Sequence, residues 1–321
     1  MFVKNKTRFE AALPHGHFAD GVSVAALVLT VAYRIGPRGL EPWEGERAPL
    51  LTDPPDTSRQ ALWHGASVTA AGTVTGPGRP PHTTYADFRV GTESRRLVVT
   101  GDRRWLRNAG KLIASAPAAW DAMPLSWSLA FGGAIEIPPG PIGPEKLPHP
   151  GGRYEYPLNP GGKGVVLEEA KAEGAALPNI ESPDCPMKAP LDQPRPAGFA
   201  PCPDLSGLRA PAGLTPDFLD DFEASLRLML RMRHAAPGEM IFESLPPGTA
   251  IELKGVSERA VRVEVPPCPV TVDVQKGKKL TRLPAAVRWA HVSADDAALL
   301  VCFGHSFSYE AAPAWVVVAE A

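Results

Sequence analysis

Three glycines surround a lysine in the sequence NPGGKG at residues 159–164, as in loops that bind phosphate. A phosphate-binding loop follows the pattern G-x-x-x-x-G-K-[ST], because its backbone N–H groups and lysine hold the phosphates while the hydroxyl binds magnesium. Here Pro157 takes the position of the first glycine, and Gly164 takes that of the hydroxyl residue. The sequence instead predicts a turn, in which Asn159 forms an Asx-turn, Pro160 fixes φ and the glycines accept positive φ.

A serine nucleophile is the second chemistry to consider, because GHSFS at residues 304–308 is close to the G-x-S-x-G elbow of hydrolases. That elbow needs its last glycine for a tight turn, and an acid and a histidine must follow the serine. Ser308 replaces the glycine, and no histidine follows it. The segment is therefore interpreted as a polar strand.

Metal ligation is the third possibility, since His15 and His17 would place both imidazoles on one face of a strand. Asp20 would be a third ligand, but LPHGHFADG is also typical of a turn before a strand. The four cysteines contain no C-x-x-C pair, which argues against a zinc ribbon or a thioredoxin-type site. The sequence thus predicts no metal site, no cofactor, and free thiols in a reducing compartment.

Adjacent carboxylates occur three times, at residues 168–169, 220–221 and 295–296. Neighbouring residues do not share a face of a strand, and the second and third pairs fit a helix start and a turn. All three pairs are interpreted as solvated surface, so no catalytic residue is predicted. A β-sandwich hydrolase or carbohydrate-active enzyme stays open as an alternative, with acids such as Glu136, Glu181 or Asp192.

Charge and hydropathy limit the classes of partner. The 321-residue chain has a net charge of −2, which argues against broad binding of nucleic acid or anionic membrane, because both need a basic surface. The apolar run at residues 22–32 is shorter than the roughly 20 residues of a membrane span, and Asp20 and Gly21 directly precede it. The run is interpreted as a buried strand, and the protein as cytoplasmic.

Strands are the main elements available to position side chains. Apolar and β-branched runs such as SVAALVLTVAYRI and VTVDV predict strands near both ends of the sequence, and GTES at residues 91–94 predicts a hairpin loop. The 37 prolines and 30 glycines exclude long helices over most of the chain. One helix is predicted over residues 216–234, with Thr215 as N-cap and an apolar stripe through Leu219, Phe222 and Leu226.

The predicted fold is therefore mainly β, with sandwich or barrel-like sheets, a long Pro/Gly-rich ordered coil and one notable helix. We interpret residues 1–321 as a single module. It comprises an N-terminal β lobe at 1–137, a Pro/Gly-rich extended segment at 138–213, and the helix with a C-terminal β lobe at 214–321. Aromatic residues punctuate the middle segment, so we expect an ordered coil packed on the β-core rather than a disordered one.

Five motifs occur in order along the chain: GDRRW at 101–105, MPLSWSLAFGG at 123–133, NPGGKG at 159–164, LPNIESP at 177–183 and RPAGFAP at 195–201. Together they resemble a bacterial family long labelled a domain of unknown function and encoded beside type VI secretion spike genes. The resemblance implies an adaptor or chaperone without enzymatic activity. Such a protein helps load effectors onto the spike tip, which consists of the trimeric spike protein and its PAAR cone.

The resemblance extends over residues 20–205. After the PAGF motif the family usually has a Trp/Arg block and a Gly-Thr-Tyr-Asp segment, and the shorter CPDLSGLRAPAGLTPDF here lacks both. The candidate partner-binding or motif residues are Trp127, Phe131, Gly132, Gly133, Tyr154, Tyr156, Asn159, Pro160, Gly164, Asn179, Glu181 and Phe199. Trp127 and Phe131 are expected to pin the coil to its own core. For Tyr154, Tyr156 and Phe199, core packing and partner contact are open alternatives.

The leading hypothesis is a cytoplasmic, non-enzymatic adaptor. It would bind a secreted effector, a PAAR-type spike-tip protein, or both, and neither nucleic acid nor membrane. A phage-like structural component of a baseplate, which would form stable homo-oligomers, is the further alternative beside the enzyme.

Overall fold

The computed structural model describes residues 2–6, 10–12, 15–17, 23–43, 65–142, 147–202, 236–276, 278–309 and 315–320. The strands are, in chain order, β1 Phe2–Asn5, β2 Glu10–Ala12, β3 His15–His17, β4 Ser23–Gly36, β5 Gly39–Pro42, β6 Ala66–Ala71, β7 Thr73–Thr75, β8 Thr83–Val90, β9 Glu93–Thr100, β10 Trp105–Asn108, β11 Lys111–Ala114, β12 Ala122–Pro124, β13 Phe131–Gly132, β14 Ala134–Ile137, β15 Gly140–Ile142, β16 Leu147–His149, β17 Gly152–Glu155, β18 Lys163–Gly164, β19 Ile180–Glu181, β20 Ile241–Phe242, β21 Ala250–Lys254, β22 Val261–Glu264, β23 Val270–Lys276, β24 Lys279–Leu283, β25 Ala286–Ser293, β26 Ala298–Tyr309 and β27 Trp315–Glu320. Single 3₁₀ turns lie at Trp127–Leu129, Glu169–Lys171 and Gly238–Met240.

The largest sheet has eight strands in the order β2–β4–β26–β25–β6–β20, with β3 and β5 also paired to β4. Strand β26 pairs with β4 along its whole length. Both faces of this pair are covered, since Leu29 and Val31 lie in the main core while Val28 and Leu300 belong to a second cluster. Burial of both faces explains the continuous apolar run of β4, and the predicted strand there is confirmed.

A five-stranded antiparallel sheet has the order β19–β9–β8–β21–β22. Its residues alternate, with Phe88 and Val90 buried while Tyr85 and Arg89 face outward and are exposed. This period of two gives one core face and one wet face. The predicted hairpin between β8 and β9 is confirmed, but its turn contains only residues 91–92, because Glu93 already begins β9.

The sheets share one core. A four-stranded sheet has the order β1–β27–β23–β24, and a single hydrophobic cluster contains Val31 of the eight-stranded sheet, Phe88 of the five-stranded sheet and Val272 and Val318 of the four-stranded sheet. Strands from the two ends of the chain pair directly, as β1 does with β27 and β4 with β26. The N-terminal and C-terminal segments therefore build common sheets.

A mainly β fold is confirmed, but barrel-like closure is wrong, because among the described strands these sheets are open and end in strands that pair on one side. The predicted helix over residues 216–234 lies outside the described residues, and the helical elements within them are single 3₁₀ turns. None of the described helices has the length and apolar character needed to cross a membrane. Between residues 147 and 202 the chain forms strands of two to four residues and one 3₁₀ turn.

Candidate functional site

The NPGGKG turn returns the chain to MPLSWSLAFGG, where β18 pairs in parallel with β13. Lys163 N donates to the Ala130 carbonyl at 3.0 Å, and Val165 N donates to the Gly132 carbonyl at 3.0 Å. Gly132 has a φ of +144°, and a side chain there would collide with the Asn159 carbonyl. Gly164 has a φ of +103°, and its Cβ would lie 2.9 Å from Pro178 Cδ. Glycine is thus required here by conformation and by close approach of the two backbones.

Asn159 is the centre of this turn and is fully buried. Its Nδ2 donates to the Trp127 carbonyl at 2.7 Å and to the Phe131 carbonyl at 3.0 Å, while its own carbonyl accepts from Gly133 N at 2.9 Å and Gly162 N at 3.1 Å. The predicted Asx-turn is wrong, because Asn159 Oδ1, which would have to accept its hydrogen bond, has no partner among the described residues. Of the three glycines expected to adopt positive φ, only Gly164 does so. The backbone of Asn159 closes the turn, and its side chain satisfies carbonyl groups of a segment distant in sequence.

Asn179 plays the same part for GDRRW. Its Nδ2 donates to the Thr100 carbonyl at 2.9 Å and to Asp102 Oδ1 at 3.1 Å, and its backbone N donates to the Leu129 carbonyl at 2.8 Å. Asp102 also accepts from Lys163 Nζ at 3.2 Å. The hydrogen bond from Asn179, followed by the ammonium of Lys163, holds the pKa of the Asp102 carboxyl below its usual value. The lysine of NPGGKG thus forms an ion pair with another motif of the same chain.

A second ion pair connects GDRRW to LPNIESP. Arg103 Nη2 donates to the Pro178 carbonyl at 2.8 Å and to the Glu181 carboxylate, whose other oxygen accepts from Met187 N at 2.9 Å. The Glu181 side chain is only 6% exposed. A buried carboxylate requires such a cation and hydrogen-bond donors, because the isolated charge would be costly to remove from water. Glu181 therefore fixes the geometry of two loops.

The aromatic residues of the motifs pack on their own chain. Trp127 Nε1 donates to the Ala200 and Pro201 carbonyls at 3.1 and 2.9 Å, and the indole lies against Gly198, 2.9 Å from the position of a Cβ there. Phe199 contacts Phe88 of the five-stranded sheet, with 5.1 Å between ring centroids. Phe131 and Tyr156 form an edge-to-face pair at 5.0 Å, and burial raises the pKa of Tyr156.

We call residues 101–105, 123–133, 159–164, 177–183 and 195–201 the motif junction, since these contacts bring the five motifs together. Buried candidates from the sequence are Trp127, Phe131, Gly132, Gly133, Tyr156, Asn159, Asn179, Glu181 and Phe199. Tyr154, Pro160 and Gly164 are partly exposed. The junction also uses Asp102, Arg103 and Lys163, which sequence reasoning did not select. Their signal was the opposite charge of residues in motifs far apart in sequence.

A groove lies beside the motif junction, where the chain leaves the β13–β18 pair. Residues 135–138 form one wall and residues 165–168 form the other, and the groove has a volume of about 580 Å³. We call this feature the strand groove. Its lining is mostly aliphatic, from Ile135, Ile137 and Val166, with Glu136 and Glu168 among the polar residues.

The acids considered for an enzyme have separate environments. Glu136 lines the strand groove, whereas Glu181 is paired with Arg103 and Asp192 accepts from Lys188 N at 2.8 Å and Ala189 N at 2.7 Å. Neither Glu181 nor Asp192 lines that groove.

The other chemical candidates lie in strands. The GHSFS segment is part of β26, as predicted, and His15 and His17 lie in β3, which pairs with β4. Within the described ranges, no group of three or more His, Cys, Asp or Glu side chains is placed to hold a metal ion.

Residues 41–303 match a family described as uncharacterized protein conserved in bacteria (DUF2169). This chain belongs to the DUF2169 family. The match includes all five motifs, so the motif junction and the strand groove both lie within the DUF2169 region. Comparison with curated proteins and with solved structures gave no match.

Proposed function

We propose that this DUF2169 chain is a non-enzymatic cytoplasmic adaptor or chaperone that helps load effectors onto the type VI secretion spike. It does so by binding the secreted effector, the PAAR-type tip protein, or both. The observation that carries the proposal is the motif junction. The five motifs that resemble the adaptor family are the segments that the buried amides, ion pairs and aromatic contacts hold together.

The geometry of the junction supports binding for an energetic reason. Irregular loops lose conformational entropy when a partner orders them, and a surface fixed in advance avoids much of that cost. Asn159, Asn179 and Glu181 fix the loops through contacts inside the chain, so the outer surface of those loops is available for a partner. A protein–protein interface of standard size buries about 1,600 Å² in total. Such an interface needs a broad surface that is fixed in advance rather than a pocket with activated residues.

The experiment tests complex formation and secretion separately. The chain is co-expressed in turn with the spike, PAAR and effector proteins of its own bacterium, and each is tested by pull-down and by analytical size-exclusion chromatography. Deletion of the gene is then scored for secretion of the effector that binds, with an effector that has its own spike domain as a control. We expect a stable complex with the effector or the tip protein and loss of secretion of that effector only. No retained partner together with unchanged secretion would overturn the proposal.

A further inference from the structure

The strand groove is a place where two paired strands separate. The parallel pairing of β13 with β18 ends at Gly132 and Gly164, and the last hydrogen bond between these two segments is from Val165 N to the Gly132 carbonyl. Beyond it, β14 pairs with β17 on its other side, while residues 165–168 follow a separate path. The groove is the space left between these two segments of the chain, with the edge of β14 along one wall.

The direction of the backbone groups of β14 follows from its pairing. Tyr156 N donates to the Gly133 carbonyl at 2.9 Å, and residues of an antiparallel pair alternate between facing their partner strand and facing away. Ile135 and Ile137 therefore direct their backbone groups to β17, and Ala134 and Glu136 direct theirs to the opposite edge. In the described part of the chain, no backbone group of Ala134 or Glu136 on that edge has a hydrogen-bond partner.

An open strand edge next to aliphatic side chains is a template for another strand. Ile135 and Ile137 are half-buried at the groove, and Leu167 on the opposite wall is 37% exposed. A small molecule would use the aliphatic surface but would leave the row of backbone donors and acceptors unused. An extended peptide uses both, because its main chain bonds to the edge while alternate side chains enter the groove.

The charges at the groove specify the guest further. Glu168 is paired with Lys171, with 2.7 Å between Oε1 and Nζ. Glu136 is exposed and has no ion-pair or hydrogen-bond partner among the residues that the structure describes. One carboxylate therefore remains available next to the open edge. A lysine or arginine of the guest would complement it.

We propose that the strand groove receives an extended segment of a partner protein, which adds as a strand to the open edge of β14. The segment has alternating apolar residues and a basic residue next to Glu136. This inference rests on the proposed function, since the segment would belong to the effector or the tip protein, and it specifies where on the adaptor that partner is bound.

The probe is a phage-displayed library of random 12-residue peptides, selected on the purified full chain. Enriched peptides are synthesised, and their affinities are measured by fluorescence anisotropy for the wild type and for Leu167→Asp, Glu136→Lys and Leu280→Asp. Leu280 is an exposed leucine on β24, in the four-stranded sheet, and serves as the matched control. Circular dichroism and thermal melts verify that each variant is folded.

We expect enriched sequences that alternate apolar residues and contain Lys or Arg. Leu167→Asp should weaken them by about tenfold or more, Glu136→Lys should weaken the basic peptides selectively, and Leu280→Asp should change nothing. N-methylation removes one backbone donor at a time. It should abolish binding at alternate peptide positions only, because only every second N–H of an added strand faces β14.

Failure of the selection to enrich any peptide, equal binding by the Leu167→Asp chain, or N-methylation effects without alternation would each overturn the inference. The same variants separate this inference from the proposed function. If the effector or tip protein still forms a stable complex with Leu167→Asp and Glu136→Lys, the groove proposal is wrong while the adaptor proposal holds. If peptides bind as expected, but neither the effector nor the tip protein is retained and secretion is unaffected by deletion of the gene, the adaptor proposal is wrong and the groove proposal holds.

Discussion

Two regions of this molecule bury polar side chains, the motif junction and the pairing of β6 with β25 in the eight-stranded sheet. In the junction, the paired strands are only two residues long, so most backbone groups lack a ladder partner. Asn159 and Asn179 supply the missing partners through their side chains. A two-residue strand pair is therefore maintained by hydrogen bonds from amides.

In the eight-stranded sheet, the backbone groups are already paired and the polar side chains bond to each other. Trp289 lies opposite Ser67 and His291 lies opposite Thr69 in the parallel register. Thr69 Oγ1 accepts from Trp289 Nε1 at 3.1 Å and lies 2.8 Å from His291 Nδ1, and the indole and imidazole rings stack at 5.5 Å. These side chains occupy a covered face of the sheet without supporting its backbone.

The comparison shows what each region requires of its sequence. A ladder accepts any residues of suitable shape and polarity, so substitutions there act through packing and desolvation. A junction maintained by side-chain bonds requires particular groups at particular positions, because removing one leaves several buried backbone groups without partners. Single substitutions in the junction should therefore reduce stability more than those in the sheet, unless a change in the sheet leaves a buried charge without a partner.

The largest effect is expected for Glu181→Ala, which removes the partner of a largely buried Arg103. Breaking a buried pair leaves an uncompensated charge, so we expect a loss of about 3–5 kcal/mol in the free energy of unfolding, measured by urea denaturation. The control is Asp87→Ala, which removes an Arg96 pair whose side chains are well exposed and should change little. Equal losses in the two variants would contradict the importance of the junction.

Gly164→Val should be next. The substitution places a β-branched residue at a φ of +103° and a Cβ 2.9 Å from Pro178 Cδ. Backbone strain and overpacking together predict a loss of about 4 kcal/mol in the free energy of unfolding. Gly161→Ala is the matched control, since a Cβ at Gly161 meets nothing within 4 Å. The same two variants in the pull-down assay should show loss of partner binding for Gly164→Val alone.

The sheet has its own sensitive point at His291, whose pKa burial lowers from 6.5 to about 4 while nearby Asp296 opposes this shift. Between these values the unfolded chain binds a proton that the folded chain does not, so stability falls as pH falls from about 6.5 to about 4. The full loss is roughly 3 kcal/mol. Urea denaturation from pH 7.5 to pH 4 measures it, and His291→Gln should flatten the curve by this amount. An unchanged pH dependence in His291→Gln would mean that other groups cause the loss.

The same contrast explains how far sequence reasoning reached. The apolar run of β4 and the alternation of β8 are local patterns, and both predicted their strands. The short strands β13 and β18 carry no such pattern, because their geometry depends on Asn159 bonding to Trp127 and Phe131. Barrel-like closure was wrongly admitted for the same reason, since local patterns do not specify which strands form the edges of a sheet.

The sequence motifs predicted which residues belong to the candidate site, but not which contacts those residues make. The motifs point to Asn159, Asn179 and Glu181, and in the structure each of these side chains bonds to another part of the chain. The sequence shows opposite charges in distant motifs, but which of them form the Arg103 and Lys163 ion pairs is visible only once the chain is folded. The strand groove has no sequence signature at all, since it arises where two segments of the chain separate after the β13–β18 pair.

Lys163→Ala should have the smallest effect and tests the phosphate interpretation of NPGGKG most directly. The Lys163 ammonium pairs with Asp102, whose side chain is 78% exposed, so the loss in the free energy of unfolding should be about 0–1 kcal/mol. The backbone bond from Lys163 N to Ala130 is retained. NMR titration should show the pKa of Asp102 rising in this variant yet staying below its usual value, because the Asn179 hydrogen bond, which is the largest single cause of the lowered pKa, is retained. If instead Lys163→Ala abolished partner binding while Gly164→Val retained it, the charge of Lys163 rather than the backbone geometry of the turn would be the functional feature.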